Sequence, residues 1–292
     1  MLFYKKMLLS MFMFVFSLSA ISADKIKPYV LASNQAGDFA ETTAQVKASL
    51  IDAGFTIVGS YQPYDGADIQ IATNDALKTV AAKSENGGFG AVIRIATTQV
   101  EESIQVSYTN PEYMSAMYRM DGDLSDISSA LSKHLGAEST FGSKKGLKPK
   151  KARKYHYMAF MPYFDDVEEL AEYDSHQAAI EAVEKGLSAG IAGVTKAYRV
   201  DIPGSEMTLF GVILSDGKGA DSTIMEKIDK GDLKHTAHLP YEMLVNGKEV
   251  ISLHGKFRIA QSFPDLTMGS FMKIQSAPGA IADSLEEVAQ NK

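Results

Sequence analysis

Apolar and polar positions along this chain fall into an ordered series of short strand-like runs and helical faces. Lys27–Ser33 (KPYVLAS) reads as a strand, and Phe39, Val46, Leu50 and Ile51 mark one face of a helix stopped by Ala53-Gly54. Strands are predicted at Thr56–Tyr64 and Ala67–Thr73, a helix at Asn74–Lys83, and strands at Ala91–Thr98 and Ser103–Thr109. Helices over Pro111–Met120 and Leu124–Leu135 close this series.

The order then starts again. Tyr157–Phe164 reads as a strand, and a helix from Ser175 ends in Ala189-Gly190. Strands at Thr195–Ile202 and Met207–Ser215 precede a helix at Ala220–Lys230. A hairpin is predicted from Glu242 to Ile259, turning at Asn246-Gly247, a type I′ signal. Pro264–Lys273 and Ile281–Ala289 are the expected closing helices. Met114–Met120 (MSAMYRM) aligns without gaps to Met268–Ile274 (MGSFMKI), with Pro111-Glu112 and Pro264-Asp265 just before. The expectation is an α+β protein of two tandem repeats, residues 24–140 and 156–292.

Phe141–Tyr155 joins them as a basic linker, with seven cations between Lys144 and Lys154 and breaks at Gly142, Gly146 and Pro149. Such a strip serves as a solvated tether, or as a contact for anionic lipid or for an acidic face of the protein itself. At the N-terminus, Lys5-Lys6, the apolar run Met7–Leu18 and small residues up to Ala23 have the layout of a secretory signal peptide. Cleavage after Ala23 is expected, with Ala20 as the alternative. The apolar run is too short to span a bilayer and no later stretch is longer, so the mature chain is expected to lack a transmembrane span. It would be periplasmic or secreted.

Loss of residues 1–23 takes two lysines and no acids from a formal charge of −7, leaving −9. Because the linker holds seven positive charges, the remainder stands at −16. That acidity argues against general nucleic-acid binding, which needs a basic face. The absence of cysteine excludes thiol nucleophiles, Cys-ligated zinc, iron–sulfur clusters and lipoprotein anchoring.

Glu41–Arg119 resembles the bacterial and archaeal family called domain of unknown function 302. The residues carrying the likeness are Val46-x3-Leu50-x3-Gly54-Phe55 and the string Val106-Ser-Tyr-Thr-Asn-Pro-Glu-Tyr-Met114. The second half is a looser match through Leu239-Pro240, Val245-Asn-Gly-Lys248 and Pro264/Met268, with Phe263 where the first half has Asn110. The resemblance implies a unit with helices packed on one face of a curved antiparallel sheet (β-α-β(4)-α-like), and two such units pairing as a pseudo-dimer. It implies no activity.

Candidate chemistry is sparse. His235-Thr-Ala-His238 is the one close histidine pair, without an HExxH or HxxEH pattern, and Pro240 places it in a loop. Met114, Met117 and Met120 have helical spacing that suits copper(I), but thioethers pack cores more often, and Phe271 and Ile274 replace two of them in the aligned second copy. There is no GxSxG elbow. The expected function is binding of an unknown small molecule or protein without catalysis or cofactor, by a monomer or dimer. Tyr108, Asn110, Tyr113 and Met114 are the candidate ligand site, where a strand end meets a helix start. The alternatives are a copper- or zinc-handling protein using Met114, Met117, His235 and His238, and an enzyme with its site between the repeats.

Overall fold

A computed structural model describes residues 25–292, so the expected leader lies outside the described residues. The first half contains β1 (Tyr29–Ala36), α1 (Phe39–Asp52), β2 (Thr56–Tyr61), β3 (Ala67–Thr73), α2 (Asp75–Ala82), β4 (Ile93–Val100), β5 (Ser103–Thr109), α3 (Pro111–Met117), α4 (Ser125–Leu135) and β6 (Ser139–Phe141). Local chemistry sets these boundaries. Asp38 and Asn74 cap α1 and α2 by accepting the Glu41 and Leu77 amides at 2.8 and 2.9 Å. Asn110 caps α3, and Pro111 starts it where no amide is needed. Gly54, at φ +82, supplies the left-handed residue that ends α1.

The second half follows with α5 (Pro149–Ala152), β7 (Val167–Glu172), α6 (His176–Ala189), β8 (Val194–Ile202), β9 (Met207–Leu214), α7 (Asp221–Ile228), β10 (Tyr241–Asn246), β11 (Glu249–Leu253), α8 (Gly255–Ser262), α9 (Met268–Met272) and α10 (Ala277–Gln290). The protein is α+β with two antiparallel sheets, ordered β2-β3-β4-β5-β1-β6 and β7-β11-β10-β9-β8. Read from β8, the second sheet follows the path that β2-β3-β4-β5-β1 takes in the first. The irregularities coincide too. Val58 in β2 and Ala197 in β8 are extra residues in their ladders, as are Ala32 in β1 and Leu170 in β7.

Helices cover one face of each sheet: α1 and α4 on the first, α6 and α10 on the second. The remaining faces meet the opposite half, which is why β3, β4, β9 and β10 are buried almost throughout. A 3-10 turn at Gly87–Gly90 seats on β9 and β10, while its counterpart at Thr236–His238 seats on β3, β4 and β5. Edge strands β2 and β8 lie against each other, so closely that a Cβ on Gly59 would come within 2.5 Å of the Ala197 carbonyl oxygen.

Several expected elements are corrected. Tyr157–Phe164 is not a strand but an irregular segment with Phe160 fully exposed, and the second half's first strand is Val167–Glu172. The hairpin ends at Leu253 rather than Ile259, because His254 accepts the Lys256 amide and starts α8. In strand order α8 leaves β11 as α3 leaves β5, and His254 caps α8 as Asn110 caps α3, whereas Phe263 follows the end of α8. The gapless match of Met114–Met120 to Met268–Ile274 pairs helices at different places in the two halves. The expected Pro264–Lys273 helix shrinks to α9, which Thr267 caps at the Ser270 amide. The expected β-α-β(4)-α pattern is divided in each half by a helix, α2 or α7, between the two strand pairs. The basic segment is partly built in: Phe141 ends β6, Leu147 pairs with Ile26, and Arg153 donates to the Met120 and Arg119 carbonyls.

Candidate functional site

Charged residues are buried where the halves meet. Arg94 on β4 forms an ion pair with Glu242 on β10, and both side chains are 2% exposed. Arg258 on α8 donates from Nε to the other Glu242 oxygen at 3.2 Å and from one terminal nitrogen to Ser262 Oγ at 2.9 Å. Its second terminal nitrogen donates to the carbonyls of His238 and Pro240. The Nδ1 of His238 lies 2.9 Å from Arg258, and Nε2 lies 3.0 Å from the Tyr241 hydroxyl. Burial, reinforced by Arg258, holds His238 well below the usual imidazole range and hence neutral. One carboxylate between two guanidiniums can neutralise only one of them, so the network retains a positive charge inside the fold.

Tyr61 of the first half reaches the second by donating to Asp221 at 3.3 Å, where the Leu214 amide also donates. Burial pushes the Asp221 carboxyl up to about 8.

Above this network an open cleft of about 690 Å³ runs along the seam, lined by Lys27, Phe141 and Lys144 from one side and by His235, Phe263 and Asp265 from the other. Its volume falls within the range of small-molecule sites. His235 is held at two points: its amide donates to Asp229 Oδ2 at 2.8 Å, and Nδ1 lies 2.9 Å from Oδ1. The carboxylate thereby selects the tautomer with hydrogen on Nδ1, which leaves the Nε2 lone pair free. Among the described residues no hydrogen bond reaches Nε2. The ring stacks on Phe263 with centroids 4.6 Å apart and meets the edges of Tyr29 and Phe141. Asp229 itself borders a second hollow of about 470 Å³, also lined from both halves, by Tyr64, Thr98, Ser222 and Lys234 among others.

The four residues expected to bind ligand are divided. Tyr108 and Asn110 border a groove of about 250 Å³, but the Tyr108 hydroxyl donates to the Gly136 carbonyl and the Asn110 amide to the Lys27 carbonyl. Tyr113 and Met114 are buried elsewhere, and the Tyr113 hydroxyl donates to the Gln261 carbonyl across the seam. Of the alternative metal set, Met114 and Met117 are packed in the core, both ring nitrogens of His238 are taken, and His235 gives Nδ1 to Asp229. Among the described residues no cluster of three or more His, Asp or Glu side chains is placed to hold a metal ion. Arg94, Glu242, Arg258 and Asp229 were not singled out by motif. A signal existed for three of them, since each is a charge inside an otherwise apolar run: Ile93-Arg-Ile95, Tyr241-Glu-Met243 and Phe257-Arg-Ile259.

No protein-family model matches the chain, and no curated protein or solved structure is significantly similar to it. Among the described residues no helix is long and apolar enough to cross a membrane.

Proposed function

We propose that this is an exported binding module, made of two tandem copies of one α+β unit paired as a pseudo-dimer, that takes a small organic anion in the cleft along the seam. One arrangement carries the reading. A histidine fixed by a buried carboxylate offers a free Nε2 to a cleft with an aromatic wall and with Lys27 and Lys144 on its rim. A ligand hydroxyl or phosphate O–H would donate to the Nε2 lone pair, while the lysines attract the ligand's negative charge. Duplication is supported by the matching strand path and the paired bulges. Kinship with the domain of unknown function 302 family belongs to the same proposal and rests on the residues named for it. The test is thermal unfolding of residues 24–292 against a panel of small carboxylates and phosphates. Stabilisation of the parent protein, lost in His235→Gln, is expected; no stabilisation by any member sinks the reading.

A second reading is favoured by the same pair. With Ser143 and Ser270 in the cleft, His235 Nε2 is equipped to take a proton from a hydroxyl or a water, as a general base does. Turnover of activated esters that His235→Gln abolishes would support an enzyme instead of a binding module.

A further inference from the structure

Exposed apolar side chains are concentrated in one place. Among the described residues the large exposed hydrophobics are Ile51, Met158, Phe160, Tyr163, Met268 and Met272, and all but Ile51 fall within two short segments, 158–163 and 268–272. These segments are neighbours: Met158, Met161, Met268 and Phe271 line one hollow, and the Tyr157 hydroxyl ties the first segment to the Leu266 carbonyl just before the second. Phe160, completely exposed, stands on a turn at φ +66. The segment is not a fraying end. Tyr155 donates to the Ala260 carbonyl at 3.1 Å, His156 packs on Tyr163 at 4.4 Å between ring centroids, and Asp166 accepts the Tyr163 amide at 2.8 Å.

The same surface is basic. All seven cations from Lys144 to Lys154 are exposed, and among the described residues none forms an ion pair with an acidic side chain. They run directly into Tyr155–Tyr163, and the Lys144 amide donates to Asp265, three residues before α9. Lys256 lines the hollow and exposed Lys273 follows α9. The nearest acid after the segment, Asp165, is occupied by Arg119 at 2.7 Å.

We propose that residues 144–163 and α9 form a docking surface for an anionic lipid bilayer, with Phe160 and the exposed methionines entering the headgroup boundary and the lysines meeting the phosphates. Such pairing of apolar insertion with basic residues is how peripheral proteins reach membranes without a spanning helix. The cations here stand against a chain remainder that is strongly acidic, which orients the molecule with this side toward negative lipid. This inference does not depend on the cleft.

Residues 24–292 are mixed with sucrose-loaded vesicles of phosphatidylcholine, or of phosphatidylcholine with one third phosphatidylglycerol, and sedimented at low and high salt. Binding to the anionic vesicles at low salt, weakened by salt, is the expected result. Lys150→Ser/Lys151→Ser/Lys154→Ser should weaken partitioning on the order of a hundredfold. Phe160→Ser/Met158→Ser should weaken it by about tenfold or more. All five positions are exposed, so unchanged thermal unfolding separates lost docking from lost fold. The proposal is overturned if the parent protein stays in the supernatant, if it binds neutral vesicles as well as anionic ones, or if both variants bind as it does. It is equally overturned if the parent protein ignores vesicles and self-associates while Phe160→Ser is monomeric, which would make the patch an interface between copies.

Discussion

Arg94 and Glu242 occupy the same register position in the two sheets and face each other as an ion pair. Arg94 lies opposite Ile71, which pairs with Gly59, the residue just after the β2 bulge. Glu242 lies opposite Gly211, which pairs with Tyr198, the residue just after the β8 bulge. Two identical halves would set like against like at this point; here the position is split into complementary charges. Removing Glu242 strands two guanidiniums, whereas removing Arg94 leaves Glu242 its bond to Arg258. Urea unfolding should therefore show Glu242→Met costing about 3–5 kcal/mol and Arg94→Met clearly less. Equal losses would mean that the three side chains do not share charge as described.

Asp221 makes stability depend on pH in a defined direction. The folded chain keeps its proton up to about pH 8, while the unfolded chain releases it near pH ~4. Between those values the folded state binds more protons, so this group lowers stability as pH rises and has no effect below the unfolded value. Asparagine retains an oxygen for Tyr61 and the Leu214 amide but carries no charge. Asp221→Asn should flatten the fall in melting temperature between pH 5 and 9, and the gain over the parent protein should be largest at the alkaline end.

The seam between β2 and β8 tolerates no side chain at Gly59, because the atom met there is backbone. Gly59→Val should cost about 1–3 kcal/mol in chemical denaturation. Gly231→Ala, whose added carbon meets nothing closer than 3.6 Å, is the matched control and should be near neutral.

For the cleft, Asp229→Asn keeps the shape of the side chain while removing the charge that orients His235. Affinity for whichever anion stabilises the parent protein should fall on the order of tenfold, with little change in the melting temperature of the free protein. A fall equal to that of Phe263→Ala would assign the site to apolar packing instead.

Much of the strand order was legible from alternation and from glycine stops. The Lys27–Ser33 run, the Ala53-Gly54 end and the Asn246-Gly247 turn all mark elements close to where they occur. The failures have local causes. Val167–Glu172 is an edge strand that buries only Leu170, so its acidic residues look like a connection. Tyr157–Phe164 is apolar at consecutive positions, which imitates a buried strand although only Phe164 of the segment is buried. Lys256-Phe-Arg-Ile259 alternates like a strand, but Phe257, Arg258 and Ile259 are consecutive buried residues of α8. The cleft was out of reach because Lys27, Phe141, His235 and Phe263 come together only when the two sheets meet.

The exchange of turns has a bearing on how the chain is made. Gly87–Gly90 has its seat on strands that end at Asn246, and the open face of the first sheet waits for Thr236–His238. An emerging polypeptide thus has an uncovered apolar surface for most of its synthesis, and the first sheet is closed only when nearly all of the molecule has appeared. Maturation is for that reason a late, all-at-once event, and a chain truncated before residue 240 would be prey for holdases and proteases rather than a smaller working protein.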